Sequence, residues 1–266
     1  MSEREACLEA ALEAARTAGR MLRERVGQAS EVSFKGEVDL VTESDTLSQK
    51  MIVAHLSKIF PGHDLLAEES LSRESGSPFR WVVDPLDGTT NFAHHFPFFC
   101  VSIGLEVEGQ ADLGVVFDPL REEMFWCLRG EGAFLNGNRL RVSAVQDLGS
   151  SLLVTGFPYD IRQSRDNIVH FNHFLVRAQA LRRTGSAALD LCYVAGGRFD
   201  GFWEMKLNPW DVCAGALMVK EAGGRATDFL GNEFPSTVRH ILASNGLIHG
   251  QMQEVLEKSA WPEIQR

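Results

Sequence analysis

The sequence predicts a layered α/β protein, with an antiparallel meander in its first part and alternating strands and helices in its second. Three observations predict it. Residues 6–26 place Leu8, Leu12, Ala15, Gly19, Leu22 and Val26 at steps of four and three, the stripe of one amphipathic helix. Between residues 99 and 128, three apolar runs are separated by Glu108-Gly109-Gln110 and by Pro119-Leu120-Arg121-Glu122, which reads as a strand meander. Beyond residue 150, strand-like and helix-like stretches alternate, the pattern of a sheet covered by helices.

Composition sets the frame. With 266 residues, 44% apolar and 23% charged, the chain can bury a full core without staples. Its 26 Lys plus Arg stand against 36 Asp plus Glu, a net charge of −10 that disfavours nonspecific binding to nucleic acid or anionic membranes. Five cysteines with no C-x-x-C pair suggest neither a disulfide framework nor a zinc knuckle, and a reducing cytoplasm is the expected home. The first residues are charged, and no apolar run is long enough to span a bilayer.

In chain order, FKGEVDLVTESD (34–45) alternates apolar residues and ends in a polar cluster at 42–45. Leu47, Met51, Ala54 and Lys58 then begin a second helical period, with Asp45 reading as a capping residue. His63 reads as a surface turn residue before the strand-like Leu65-Leu66-Ala67, and Glu68 and Glu69 follow at the strand end. Residues 72–79, SRESGSPF, read as a surface loop. Next comes WVVDPLDGTTN (81–91), where an apolar run delivers Asp84 and Asp87 onto a turn made by Pro85 and Gly88. Two carboxylates crowded there repel unless a cation or protons intervene. Oxygen donors suit magnesium, calcium or manganese, and magnesium pairs with one or two carboxylates, waters and a substrate phosphate. The N–H groups of Gly88 and Thr89, with the Thr89 hydroxyl, could hold phosphate oxygens. A ligand-free Asp-Pro, Asp-Gly turn uses the same residues, so the motif alone leaves both readings open.

His94 and His95 are adjacent, so their rings point different ways, and they are left out of the metal site. Asn136-Gly137-Asn138 signals a hairpin. A boundary is expected near 142–150, dividing one compact body into 1–145 and 146–266. Beyond it come a strand at 151–157, helices at 167–181 and 187–195, a strand at Phe202-Trp203, the helix carrying Asp211, a strand at 240–244 and a helix from Leu247. Gly185-Ser186 opens a helix, whose free N–H groups are either an anion seat or an ordinary serine cap. Asp211 follows Pro209-Trp210 and precedes a helix ending at Gly223-Gly224, a position that capping alone accounts for.

Taken together, WVVDPLDGTTNF with FPFFCVSIGL, WDVCAGALMVKEAGG, DLVTESD (39–45), AEES (67–70) and RRTGSAALDL (182–191) resemble the inositol monophosphatase family over nearly the whole chain. The resemblance implies an αβαβα sandwich of the inositol monophosphatase and fructose-1,6-bisphosphatase type, and a homodimer. It implies Mg²⁺-dependent, lithium-inhibited hydrolysis of a phosphate monoester without a phosphoenzyme, with two to three Mg²⁺ per site and Mn²⁺ as an alternative. By resemblance the first ion sits on Glu68, Asp84 and the Leu86 carbonyl, the second on Asp84, Asp87 and Asp211, and a weaker third near Glu68. Glu68 also polarises the attacking water, and Thr89, oriented by Asp45, aligns it. Asp87, Gly88, Thr89, Arg183, Gly185, Ser186, Ala187, Glu204 and Asp211 match substrate-contacting positions, with Glu204 facing inositol hydroxyls and Arg183 near the substrate or the dimer contact. Lys35 matches a lysine near the site. The expected substrate is myo-inositol 1-phosphate, with fructose 1,6-bisphosphate, histidinol phosphate or 3′-phosphoadenosine phosphate as alternatives. A different class of reading is a binding protein of the transcription machinery, since RRTGSAALDL resembles relatives with that role; the acidic charge argues against direct RNA contact.

Overall fold

Helices and sheets alternate through the molecule as five layers, α, β, α, β, α. The computed structural model describes residues 2–28, 32–34, 40–69, 71–165, 167–233 and 239–259, and Lys35 lies outside them. The chain begins with α1 (Glu3–Arg25), the two-stranded β1 (Val32–Phe34) and β2 (Leu40–Thr42), and α2 (Glu43–Ile59). The first large sheet uses β3 (Asp64–Ala67), β4 (Leu71–Arg73), β5 (Phe79–Asp87), β6 (Cys100–Val107), β7 (Gln110–Asp118), β8 (Glu123–Leu128), β9 (Gly132–Leu135) and β10 (Asn138–Arg139). The short α3 (Thr89–Ala93) is inserted after β5. There follow β11 (Leu152–Thr155), α4 (Ile161–Ser164), α5 (Ile168–Leu175), β12 (Ala180–Arg182), α6 (Ala187–Ala195) and β13 (Gly201–Met205). The chain continues with α7 (Pro209–Glu221), β14 (Arg225–Thr227), β15 (His240–Ser244) and α8 (His249–Lys258).

The first sheet runs β10-β9-β8-β7-β6-β5-β3-β4 and is antiparallel except where β3 lies parallel to β5. The second runs β12-β11-β13-β15-β14, with β11 parallel to both neighbours. Three apolar clusters fill the spaces between layers. One joins α1 and α2 to the first sheet, one joins both sheets through α6 and α7, and one joins the second sheet to α5 and α8.

Local chemistry explains the element ends. Ser2 and Glu5 close a capping box at the start of α1, and Asn136 and Gly137, both at positive φ, make the two-residue turn between β9 and β10. The buried face of α1 differs from the expected stripe. Ala10, Ala11, Ala14, Ala15, Ala18 and Leu22 are buried, while Leu8 and Leu12 are half-buried at its edge. Small side chains let the helix lie close to the sheet, and at Gly19 a Cβ would stand 2.5 Å from the Phe117 ring.

Four other expectations are corrected. The buried face of α2 is Asp45, Ser48, Gln49, Ile52 and Leu56, whereas Ala54 and Lys58 face solvent, because polar residues at its start bind loops described below. The helix expected over 167–181 stops at Leu175, since residues 180–182 pair with β11 as a parallel strand and a turn must bring the chain back. His63 is buried, its ring stacked 4.8 Å from Phe60 and 4.6 Å from Phe79, and burial pushes its pKa down from the usual imidazole value. The 72–79 segment contains the end of β4 and a turn whose Ser75, Gly76 and Ser77 N–H groups all donate to Asp64.

Candidate active site

The site begins where β5 stops being regular. Its pairing with β6 slips between Asp84 and Asp87, a bulge at Pro85, which has no N–H to give the ladder. The bulge re-aims both acids. Leu86 N–H donates to Asp84 Oδ1 at 3.0 Å, while Asp87 Oδ2 accepts from Ser186 Oγ and from Ala188 N–H, each at 2.7 Å. Glu68 follows β3, the parallel neighbour of β5, and its N–H donates to the Val83 carbonyl at 3.2 Å. Asp211 arrives on the first turn of α7, where its Oδ2 accepts from Asn208 N–H at 2.7 Å. Three elements therefore bring four carboxylates to the lining of one cavity.

That cavity has a volume of about 250 Å³. Glu68, Asp84, Leu86, Asp87, Gly88, Thr89, Arg183, Gly185, Ser186, Ala187, Glu204 and Asp211 all line it. Asp45 stands one hydrogen bond behind, accepting from Thr89 Oγ1 at 2.8 Å. His94 and His95 are exposed and outside it. Gly88 must be glycine on two grounds: its φ is +97°, and a Cβ would lie 3.0 Å from the Phe98 carbonyl oxygen.

The acids are held against their own electrostatics. Burial pushes Asp84 well above the usual carboxylate range, and the charges of Glu68, Asp87 and Asp211 push it further. Asp211 is raised in the same way, first by burial and then by Asp87, Glu68 and Glu204, against the Asn208 N–H. Asp87 is raised by burial although Ser186 and Ala188 stabilise its anion. Glu204 is pushed up to about 8 by burial, with Arg183 opposing and Asp87 assisting. Such crowding calls for a cation or for protons.

The first two turns of α2 brace two segments of this site from behind, the stretch at the end of β5 and the loop after β3. Asp45 holds Thr89, Ser48 Oγ donates to the Pro85 carbonyl at 2.7 Å, and Gln49 bonds both the N–H and the carbonyl of Glu69 at 2.8 Å. Ser48 and Gln49 were missed in the sequence. Their signal was available: they share one helical face with the core residues Ile52 and Leu56.

The opposite wall was also partly missed. Gly156 lies against the Glu204 carboxylate, so closely that a Cβ there would be 2.1 Å from Oε1. Behind it, Asn167 donates to the Gly156 carbonyl and Trp203 Nε1 donates to Asn167 Oδ1. Tyr159, Lys206, Asn208 and Asp190 line the same cavity; only Asp190 lay inside a quoted motif, RRTGSAALDL, and it was given no role there.

The inositol monophosphatase family profile matches residues 3–265. The chain belongs to that family. Inositol monophosphatase 2 of Solanum lycopersicum is 41% identical over 264 residues, covering 95% of this chain and 98% of the relative. Nus factor SuhB of Escherichia coli K12 is 44% identical over 242 residues, covering 90% of this chain and 91% of the relative. Among solved structures, extragenic suppressor protein suhB from Bartonella henselae superposes with a TM-score of 0.92 at 41% identity, covering 96% of this chain and all of that one, 100%. The layered sandwich is thus the fold of inositol monophosphatases.

Magnesium fits the donor set of this family member. The converging groups offer oxygen only, and their mutual repulsion is what an added cation relieves. Among the described residues no three Asp, Glu, His or Cys side chains close round a single point. Magnesium does not need a closed cage, because it keeps several waters and is held by one or two carboxylates at a time with substrate phosphate.

Proposed function

We propose that the chain is a Mg²⁺-dependent phosphatase that hydrolyses a phosphate monoester, foremost myo-inositol 1-phosphate, by direct attack of water. The convergence of Glu68, Asp84, Asp87 and Asp211 on one cavity beside Arg183 and Glu204 carries this reading. Glu68, Asp84, Asp87, Asp211 and the Leu86 carbonyl would hold two to three ions. Bound Mg²⁺ would supply the positive charge that makes water acidic enough to attack at neutral pH and that offsets the charge of the phosphate.

The chain's own residues do the rest. The Thr89 hydroxyl has a single proton, which goes to Asp45 Oδ1 at 2.8 Å or to the Leu86 carbonyl at 3.0 Å. Its lone pairs are therefore turned to accept a proton from water, and Asp45 fixes that direction. Asp45 is itself anchored by the Thr42 N–H at 2.8 Å and the Thr42 hydroxyl at 2.6 Å, bonds that favour its anion against burial. Glu68 draws the same water from the other side. Ser186 Oγ and the Ala188 N–H keep Asp87 turned into the site. Glu204 and Arg183 offer an acceptor and a donor to the alcohol part of the ester. No nucleophilic Ser or Cys is required: Cys100 touches Asp87, but burial keeps it a thiol.

The test is phosphate release from myo-inositol 1-phosphate, fructose 1,6-bisphosphate, histidinol phosphate and 3′-phosphoadenosine phosphate, with Mg²⁺ and then with Li⁺. Fast, lithium-sensitive release from the inositol ester is the expected result, lost in Asp87→Asn. Preference for another ester moves the substrate, and no magnesium-dependent release from any of them sinks the reading. A cytoplasmic homodimer whose 1–145 and 146–266 parts close round the site belongs to the same proposal. The relative named Nus factor supports a second reading, association with the transcription machinery. With a net charge of −10, that partner would be protein rather than RNA. Binding that survives Asp87→Asn would favour it.

A further inference from the structure

Asp190 is the acid in this cavity for which the chemistry above has no use. It stands in the first turn of α6 and is 1% exposed, in contact with the cavity on one side. An acid in a first turn ordinarily serves the helix end. Here that duty belongs to Ser186, whose Oγ accepts from the Leu189 N–H. Asp190 instead reaches back before the helix and takes the Thr184 hydroxyl on Oδ1 at 2.5 Å.

Thr184 is in turn fixed from outside. Its carbonyl accepts from Asn91 Nδ2 at 2.8 Å, and the same Nδ2 donates to the Phe98 carbonyl at 2.7 Å, tying the turn to the segment after α3. The residue between Thr184 and the N-cap Ser186 is Gly185, at φ +93°. The Arg183 guanidinium folds over it: a Cβ there would lie 2.5 Å from Arg183 Nη1. The turn that carries Arg183 is thus pinned at Thr184 by one side-chain acid and one side-chain amide. Burial raises Asp190 well above the usual range, the Thr184 bond lowers it, Glu204 and Asp87 raise it, and Arg183 lowers it. Keeping an acid there is costly without a role.

We infer that Asp190 is a positioning residue for the substrate side of the cavity, holding the 183–186 turn so that Arg183 meets the alcohol part of the ester opposite Glu204. The inference rests on the phosphatase reading. It separates two jobs within one cavity: the four carboxylates and Thr89 serve the phosphate, and Asp190 serves recognition of what the phosphate is attached to.

The experiment is steady-state kinetics on the full chain with the best ester found above, titrating substrate and Mg²⁺ separately, with Tm measured for every variant. Asp190→Ala and Thr184→Val each remove the pin and raise KM about tenfold, with kcat within about threefold and the Mg²⁺ half-saturation unchanged. Asp190→Asn keeps an acceptor for the Thr184 hydroxyl and returns KM to within about threefold of wild type. In an Arg183→Ala background, Asp190→Ala adds nothing further, because it acts through Arg183. Additive effects of the two substitutions, a fall in kcat with KM unchanged, or a shifted Mg²⁺ requirement overturns the inference and leaves the phosphatase reading standing. A wild-type chain that releases no phosphate removes that reading and the inference with it.

Discussion

Replacing Gly156 by alanine should alter what the site accepts without altering whether the chain folds. The new Cβ would lie 2.1 Å from Glu204 Oε1 and 2.3 Å from Oε2, and ordinary contact begins near 3.4 Å, so the carboxylate must retreat by about 1.3 Å. It is the end of a flexible side chain and can move. The backbone at 156 cannot, because Asn167 holds its carbonyl, and its φ lies outside the left-handed region. Misplacing a substrate-positioning group by about 1 Å can cost on the order of 100-fold, so kcat/KM for a polyol phosphate should fall by about that factor. p-Nitrophenyl phosphate has no hydroxyls for Glu204 to meet, and its turnover should change less than about threefold. Tm should stay within about 3 °C of wild type, since nothing in the core has moved. Equal losses on both esters, or none on either, would refute the assignment of Glu204 to the alcohol side.

Metal and pH should act together on stability. Asp84 and Asp211 have folded-state pKa values raised above those of the unfolded chain, so their contribution is complete below about pH 4 and is lost as pH rises through the raised values. Mg²⁺ binds the anions, so its stabilisation in a thermal melt should be larger at pH 8 than at pH 5, growing by about 1.4 kcal/mol for each tenfold excess over Kd. Asp84→Asn should raise the metal-free Tm and abolish the Mg²⁺ response; a response equal at both pH values would contradict this. His249 is buried between Ser244 Oγ and Thr227 Oγ1, and burial holds its pKa down to about 4. Between about pH 6.5 and 4 the unfolded chain takes a proton that the folded chain refuses, so stability should decline through that window by at most about 3 kcal/mol, and His249→Gln should flatten the decline in urea melts. Gly104→Ala would set a Cβ 2.5 Å from Cys213 Sγ, costing about 1–3 kcal/mol, and Cys213→Ala should recover most of it.

The sequence made the carboxylate side of the site easier to read than the bracing behind it, for a physical reason. Asp84 and Asp87 sit within a few residues of a proline and a glycine, so a local turn already crowds them. Glu68 and Asp211 needed the family resemblance, because loop and cap readings explain each of them equally well in isolation. Ser48 and Gln49 lie on a helix, where polar residues usually mark the wet face; sharing a face with Ile52 and Leu56 points them inward, and only the position of the loops after β3 and β5 shows what they bind. Asp190 was hidden in the same way, an acid near a helix start being unremarkable until its bond to Thr184 is seen. The layered fold followed from periodicity, whereas the extent of α5 and the burial of His63 depended on pairing and stacking partners that no local pattern contains.

The middle layer sets the order in which this protein can become competent. Cβ atoms built at Gly104 and Gly114 would collide with Cys213 and Ala214, so α7 lies flush on the first sheet while its opening turn lends Asp211 to the cavity. During synthesis Glu68, Asp84 and Asp87 emerge well before that helix exists. A chain interrupted ahead of residue 211 has three of the four acids. The set of four carboxylates is therefore complete only once the final third of the polypeptide is present.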